Sequence, residues 1–575
     1  MLFIVANSID ARINSLRSSF PKRVDAVFPR TSPFQQENYA NFSQEILSNL
    51  LGGLGYFHSN TKVDYSNSSK YQETDLKFWT QAASAMSHAP ITITAPQTLL
   101  SHTPSRPFSP RGFLWDEGFH LLPVVEWDLD LAVSVLQSWL SLMDDDGWIG
   151  REQILGPEAR SRVPSQFQVQ YPHYANRPTL SLLVAIIISK LTGKSTYSGH
   201  PSVYILSPDR ASTMLKTLYP LLARHYHSFR RTQSGNFTSA YPRPASTITY
   251  IGFRWRGRTP KHTLTSGLDD YPRANPPHPG ELHVDALAWV GTSASALQQV
   301  AQYLGEAVDA EIYAKDVTAV KHNLDALHWD VTRKAYCDAT IQDGKYTLQC
   351  HEGYISLFPL LLGLMDADHP NLLAVLDLIS DPDKLFSTHG LQSLSKQDAN
   401  YGKDEDYWWG AVWINLNVLA VLRLRDMGLS LMGPSRVRAK ALTIAAELRR
   451  RLVGTVVESW ERTGFFWEQY ADGTGEGRSS RAFTGWTAAV ILLMGLQLGQ
   501  GMGGWGDDAG ALSGVFLAVM VVVEFMLAVL AVFVGLRRRM MALVASAVNS
   551  WMSWKKTWKG GGGYEEVIDL DERGA

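Results

Sequence analysis

Two stretches carry acids where chemistry can be done. "SGLDDYPR", Ser266–Arg273, sets two adjacent aspartates among turn-forming residues, and "WEQYADGTGEG", Trp467–Gly477, sets a glutamate between aromatics ahead of a Gly-rich turn. Two carboxyls and no metal-ligand or nucleophile-histidine pattern fit cleavage of a glycosidic bond. One carboxyl protonates the leaving oxygen while the other attacks or activates water. Aromatic walls hold the sugar ring and lower the local dielectric, which keeps the acid partner protonated near neutral pH. An inverting site needs the two groups roughly 6.5–9.5 Å apart, leaving room for the water.

Further acids and aromatics crowd "PRGFLWDEGFH" (110–120), "DGWIGREQILGPEARSRVP" (146–164), "GELHVDALAWVG" (280–291) and "AFTGWT" (482–487). Asp116 and Glu117 either bind sugar hydroxyls or pair with Arg111. Glu281 and Asp285 lie four apart on one helix face and, with His283, either line the pocket or brace loops. Arg151, Glu152 and Arg160 suit an ion network in a pocket wall. Trp115, Trp148, Trp408, Trp409 and Trp467 are sugar platforms or core. Within the acid pair, Asp270 competes with Asp269 for the acid role, or caps its turn, or pairs with Arg273. Glu476 competes with Glu468.

The elements that must hold these loops read as helices. "LAVSVLQSWLSLM" (131–143), "TLSLLVAIIISKL" (179–191), "ALAWVGTSASALQQVAQYLG" (286–305) and "WTAAVILLMGLQL" (486–498) are apolar on at least one face at helical spacing. Long Gly/Pro/aromatic segments separate them, with no βαβ rhythm. This predicts an all-α toroid whose loops gather at one end. A net charge of −2 gives no bias toward nucleic acid. The abundance of aromatics, 18 Trp, 22 Tyr and 22 Phe, suits either a large helical core or a carbohydrate site. Cys337 and Cys350, the only two cysteines, flank a predicted hairpin with an Asp343-Gly344 turn, which leaves two readings: a disulfide across the hairpin or two free core thiols. Sequons at Asn41, Asn67 and Asn236 are candidate glycosylation sites.

Residues 1–75 carry strand-like and turn-like text and read as the end of a larger domain; 499–514 is a Gly-rich linker. Residues 515–536 form an apolar run with one acid, Glu524, and predict a transmembrane helix. Arg537, Arg538 and Arg539 set the tail, 537–575, on the cytosolic side and the globular part in a lumen. Trp551, Trp554 and Trp558 among lysines suit a helix in the headgroup layer. The amino end carries no signal for a lumenal location, so the expectation is that an amino-terminal piece precedes it.

"SNLLGGLGYFHS" (48–59), "PRGFLWDEGFH", "GWIGREQILGPEARSRVP", "SGLDDYPR" and "FTGWT" together resemble the catalytic domain of family 63 glycoside hydrolases, the processing α-glucosidases, over residues 30–498. The resemblance implies an (α/α)6 toroid over 76–498, preceded here by a remnant of a β-rich domain. It implies an inverting exo-α-glucosidase that removes the terminal α-1,2-linked glucose from the Glc3Man9GlcNAc2 N-glycan precursor on nascent glycoproteins in the endoplasmic reticulum, without a cofactor. It makes Asp269 the acid and Glu468 the base. "ELHVDALAW" (281–289) is similar to the family's substrate-binding motif, with Leu282 in place of an arginine. A glycosidase of another α-glucoside, trehalase-like, and a glycan-binding protein without turnover are the alternatives.

Overall fold

The inner helices of this chain are apolar nearly all round, so each must be enclosed by others. The computed structural model describes residues 2–236, 251–403, 406–431 and 435–498. Among them α1 (Leu2–Val27) and α2 (Glu37–Gly52) come first, then β1 (Leu54–Ser59), which pairs antiparallel with β2 (Gln97–His102). Helices then alternate. They are α3 (Leu114–Trp127) and α4 (Leu129–Leu140), α5 (Leu180–Leu191) and α6 (Pro208–Gln233), and α7 (Val284–Leu304) and α8 (Ala307–His328). After the hairpin of β3 (Asp338–Gln342) and β4 (Lys345–Gln349) come α9 (Tyr354–Leu361) and α10 (Leu372–Ser380), then α11 (Ile414–Ser430) and α12 (Arg436–Thr463). A second hairpin, β5 (Trp467–Tyr470) with β6 (Gly477–Arg481), leads into a 3-10 turn at Trp486–Val490 that continues as α13 (Ile491–Met494).

The odd-numbered helices from α3 to α11 are the enclosed ones. All eight residues of α9 are buried, as are thirteen of the fourteen in α3. Packing runs α3 to α5, α5 to α7, α7 to α9, α9 to α11, α11 to Trp486–Val490, and from there back to α3. The inner elements therefore close a ring, as expected of a helical toroid. The partner helices α4, α8, α10 and α12 each lie against the inner helix that precedes them, and α6 lies against α7. Close approach within the ring needs Gly118. A Cβ there would sit 2.3 Å from Thr179, whose hydroxyl donates to the carbonyls of Leu114 (3.1 Å) and Trp115 (3.0 Å).

The seam is fastened by Arg449 of α12. Its guanidinium donates to the carbonyls of Leu493 (2.6 Å), Met494 (2.8 Å) and Ser32 (3.1 Å) and to the Thr31 hydroxyl (2.7 Å). The amino-terminal segment is thereby part of the same core. Phe42, Ile46, Leu47 and Leu50 of α2 are buried in it. Residues 1–75, expected as the end of a β-rich domain, thus begin with two helices. The polar text of α2 hides an apolar stripe at 42, 46, 47 and 50, a helical spacing that only becomes visible against the surface it packs on.

The Cys337–Cys350 disulfide is present and closes the β3–β4 hairpin. Asp338 pairs with Gln349, so the cysteines flank the next register position. Asp343 and Gly344, both at positive φ (51° and 71°), make the turn that the Asp-Gly pair predicts. Asn41, Asn67 and Asn236 are all exposed. No helix among the described residues is long and apolar enough to cross a membrane. The expected linker, span 515–536 and tail lie outside those residues.

The disulfide closes a short loop, with its cysteines 13 positions apart. Replacing Cys337 and Cys350 together by alanine should therefore lower stability by about 3 kcal/mol through unfolded-chain entropy. A urea melt of the double variant checks this, with a lower midpoint as the expected outcome.

Candidate active site

The first turns of the inner helices, and the loops leading into them, converge on one cavity of about 370 Å³. Trp115 and Asp116 come from the start of α3, Asn176 from just before α5, and Asp269 from the loop before α7. Tyr407, Trp408 and Trp413 come from the approach to α11. Glu468 of β5, Ser480 of β6 and Phe483 come from the hairpin ahead of Trp486, which also lines the wall. Asp269, Glu468, Trp115, Asp116, Arg151 and Trp408 are thus brought together as the sequence suggested.

The loop carrying Asp269 is held at every residue. The Ser266 hydroxyl donates to Thr263 O (2.7 Å) and accepts from Leu268 N–H (3.1 Å), a closed local turn. Gly267 takes φ +70°, which a side chain would strain, and passes against the Trp115 ring. Leu268 is fully buried and Tyr271 donates its hydroxyl to His351 O (2.7 Å). Asp269 is left pointing its carboxyl into the cavity. No hydrogen bond from a described residue reaches that carboxyl. Burial raises its pKa to about 6, against an opposing pull from Arg151 and with further lift from Asp270.

Asp270 does something else. Its two carboxylate oxygens accept the backbone N–H groups of Tyr407 (3.0 Å) and Trp408 (2.8 Å), and its carbonyl accepts the Trp409 indole N–H. It neither pairs with Arg273 nor lines the main cavity. Arg273 instead forks onto Asp285 (2.9 Å) and Asp338 (2.6 Å).

Glu468 is buried, 9% exposed, and its carboxylate accepts the Tyr407 hydroxyl on one oxygen and Ser480 N–H (3.1 Å) on the other. Burial raises its pKa while these two donors hold it down. Glu476 is exposed at the hairpin turn and reaches no part of the cavity. Asp116 is the third acid on the wall. Burial, then the charge of Glu468, push its pKa well above the usual carboxylate range. Arg111 and Arg151 both bind Glu152, at 2.8 and 2.7 Å, and form a charged rim that leaves Asp116 unpaired with Arg111. Arg160 is elsewhere, donating to Asn60.

Several expected sugar contacts are braces instead. Glu117 is fully buried behind the wall and accepts four bonds, from the Ser101 hydroxyl, His102 N–H, His102 Nδ1 and His120 Nδ1. Burial alone would raise its pKa, yet the two histidines bring it to about 2. Glu281 holds Arg258 (3.3 Å), the His283 ring (2.9 Å) and His278 N–H (2.7 Å), and His283 accepts Trp255 N–H on Nδ1. Asp285 sits between Arg177 and Arg273. None of Glu117, Glu281, His283 and Asp285 lines the cavity, because each is saturated by partners in the layer beneath it. Trp467 points away because β5 alternates. With Glu468 on the cavity face, Trp467 covers Gly477 on the other. Trp148 and Trp409 each open on a separate cavity.

Tyr407, Trp413 and Trp486 are among the lining residues not named individually from the sequence. Trp413 stacks on Trp408 at 3.6 Å between centroids and 3° between planes, Tyr407 meets Trp413 edge-on at 4.9 Å, and Trp486 tilts against Trp413 at 5.7 Å. Trp486 also donates its indole N–H to Glu468 O (2.9 Å). The signal was their place next to quoted motifs, in "DYWWGAVW" and "FTGWT".

Residues 4–496 match the family description "Glycosyl hydrolase family 63 C-terminal domain". The chain belongs to this family. It is 40% identical over 513 residues to a probable mannosyl-oligosaccharide glucosidase of Schizosaccharomyces pombe, covering 85% of this chain and 62% of that protein. It is 38% identical over 525 residues to the mannosyl-oligosaccharide glucosidase of Saccharomyces cerevisiae, covering 85% and 61%. The chain thus spans about three fifths of the length of these relatives. Among solved structures, the family 63 mannosylglycerate hydrolase of Thermus thermophilus in complex with glucose aligns at 19% identity and TM-score 0.49, over 68% of this chain and 95% of that one.

The raised pKa of Asp269 has a stability consequence. The unfolded aspartate releases its proton near 3.8 and the folded one near 6. Between these values the folded chain binds more protons, so stability falls as pH rises through the window and the full penalty stands above about pH 6. Asp269→Asn removes it. The variant should be more stable than the parent at pH 7, by on the order of 3 kcal/mol, and matched to it below about pH 4. Thermal melts at the two pH values check the sign.

Proposed function

We propose that this chain is the catalytic portion of an inverting exo-α-glucosidase that removes the terminal α-1,2-linked glucose from a Glc3Man9GlcNAc2-type N-glycan. The observation that carries the reading is the pairing of unlike carboxyls on one aromatic-walled cavity. Asp269 has no donor among the described residues and a pKa near 6; Glu468 is gripped by Tyr407 and Ser480. Asp269 gives its proton to the glycosidic oxygen. Glu468, whose two donors favour its carboxylate form, takes a proton from the attacking water. Asp116 hydrogen-bonds a sugar hydroxyl, and Trp115, Trp408 and Trp413 surround the ring. The curated relatives' names support the substrate class. The closed ring of inner helices supports an (α/α)6 toroid. Action on glycoproteins in the endoplasmic reticulum, with the apolar run at 515–536 as membrane anchor and the catalytic part lumenal, completes the proposal.

Asp269→Asn and Glu468→Gln should each lower glucose release from the triglucosylated glycan by roughly 100- to 10,000-fold. Proton NMR of the fresh product should show β-glucose first, and neither trehalose nor the α-1,2 glucose disaccharide should match the glycan as substrate. Full activity of Glu468→Gln, or α-glucose as first product, would overturn the assignment.

The pH profile of kcat/KM should be a bell. It falls as pH rises through about 6, where Asp269 loses its proton, and at low pH, where Glu468 gains one. Removing the Tyr407 hydroxyl takes a donor from the ionised base and raises the base's pKa. Tyr407→Phe should therefore move the acidic limb upward, leave the basic limb in place, and lower the maximum about 10- to 100-fold.

A further inference from the structure

Adjacent residues in two loops open on different cavities. Asp269 and Trp408 line the cavity described above, while Asp270 and Trp409 line a second one, of about 400 Å³. The wall between them is the Asp270 clasp itself. The second cavity falls in the size range of small-ligand sites, and the hydrolytic reading gives it no part.

Its chemistry is that of a neutral, hydroxyl-bearing ligand. The cations on its wall are engaged: Arg258 on Glu281, Arg273 on Asp285 and Asp338, and Lys261 is not free either. His351 commits Nδ1 to Asp398 (2.9 Å) and keeps Nε2. The Asn400 side chain donates to Asp398 (3.0 Å) and keeps its carbonyl oxygen. The side-chain amides of Gln349 and Asn275 have no hydrogen-bond partner among the described residues. Neutral amides and one imidazole nitrogen beside a half-buried indole, Trp409, are the mixture that hydrogen-bonds the rim of a sugar ring while covering its apolar face.

We propose that this second cavity is an accessory saccharide site that takes a neutral hexopyranose unit, seated on Trp409 and hydrogen-bonded by Gln349, Asn275 and His351. It stands apart from hydrolysis and holds whether or not the chain cleaves a glucoside.

The test uses the full chain carrying Glu468→Gln, with the main cavity filled by 1-deoxynojirimycin, a glucose-shaped iminosugar. Methyl α-mannoside and methyl α-glucoside are then titrated separately and followed by saturation-transfer NMR. Persistent transfer to at least one of them is expected, and the two arms show which hexose the site prefers. Gln349→Ala combined with Asn275→Ala should weaken that transfer at least fivefold while iminosugar binding changes less than twofold. Both positions are half-buried or exposed, and retained iminosugar binding reports an intact fold. Trp409→Ala is the second variant and should abolish the transfer. Loss of all transfer once the iminosugar is bound, or transfer unchanged in both variants, would overturn the proposal. Loss of hydrolysis in the parent chain would bear on the first cavity alone.

Discussion

The grip of the Asp270 carboxylate on two backbone amides is the interaction on which the site depends. Tyr407 and Trp408 N–H sit at 3.0 and 2.8 Å from its two oxygens, across 137 and 138 residues of chain. Because Asp269 precedes Asp270, this bond fixes the acid loop. Because Tyr407 carries the hydroxyl that meets Glu468, the same bond also fixes the donor that holds the other carboxyl. Charge-assisted bonds to backbone donors are short and directional, so the position of one loop specifies the other. Two aspartates in a row are therefore not redundant. One faces the cavity without a hydrogen-bond donor among the described residues, and its neighbour spends both oxygens on geometry.

Beneath that clasp lies a layer of ion pairs. Arg273, four residues after Asp269, joins Asp285 at the start of α7 to Asp338 of the disulfide-closed hairpin, and Arg177 reaches the same Asp285 while lying over the Trp115 ring. Such buried pairs add little net stability against apolar replacements, but breaking one leaves a stranded charge. Their effect here is positional: the loop bearing Asp269 is tied at both ends. Acids in the two layers behave oppositely. Burial raises every one of them, yet Glu117, Glu281 and Asp285, surrounded by cations and histidines, fall to about 2. Asp269, Asp116 and Glu468, on the cavity, remain raised. The cations and donors around each carboxyl, rather than its residue type, separate the braced acids from those facing the cavity.

That difference explains what could be read from residues alone. The motif order, the helical periodicity of α4, α5 and α7, the Asp343-Gly344 turn and its flanking cysteines were all visible, because each is a local pattern with a local cause. The positions of Asp269 and Glu468 came through family text. The roles of Glu117, Glu281, His283 and Asp285 did not, since an acid beside aromatics reads the same whether it meets sugar or an arginine from 100 residues away. Trp467 was misplaced by strand alternation, which a four-residue strand is too short to announce. Trp413 and Trp486 were passed over because an aromatic at a helix start reads as core. α2 was missed because its buried stripe is diluted by Asn and Ser.

The ring supplies the reason these pieces meet at all. The starts of α3 and α11, the loops before α5 and α7, and the β5–β6 hairpin with Trp486 all reach one cavity, so a shift of any of these elements moves one part of the wall. Closure comes at the seam, where Arg449 binds residues on both sides: Thr31 and Ser32 near the amino end, Leu493 and Met494 after the last inner turn. Trp486, seven residues before Leu493, donates to the Glu468 backbone. Glu468 is therefore positioned from two directions, by Tyr407 through its carboxylate and by Trp486 through its main chain. The first comes by way of the acid loop and the second by way of the seam. A site assembled so far apart in sequence keeps its register only because both routes end on the same residue.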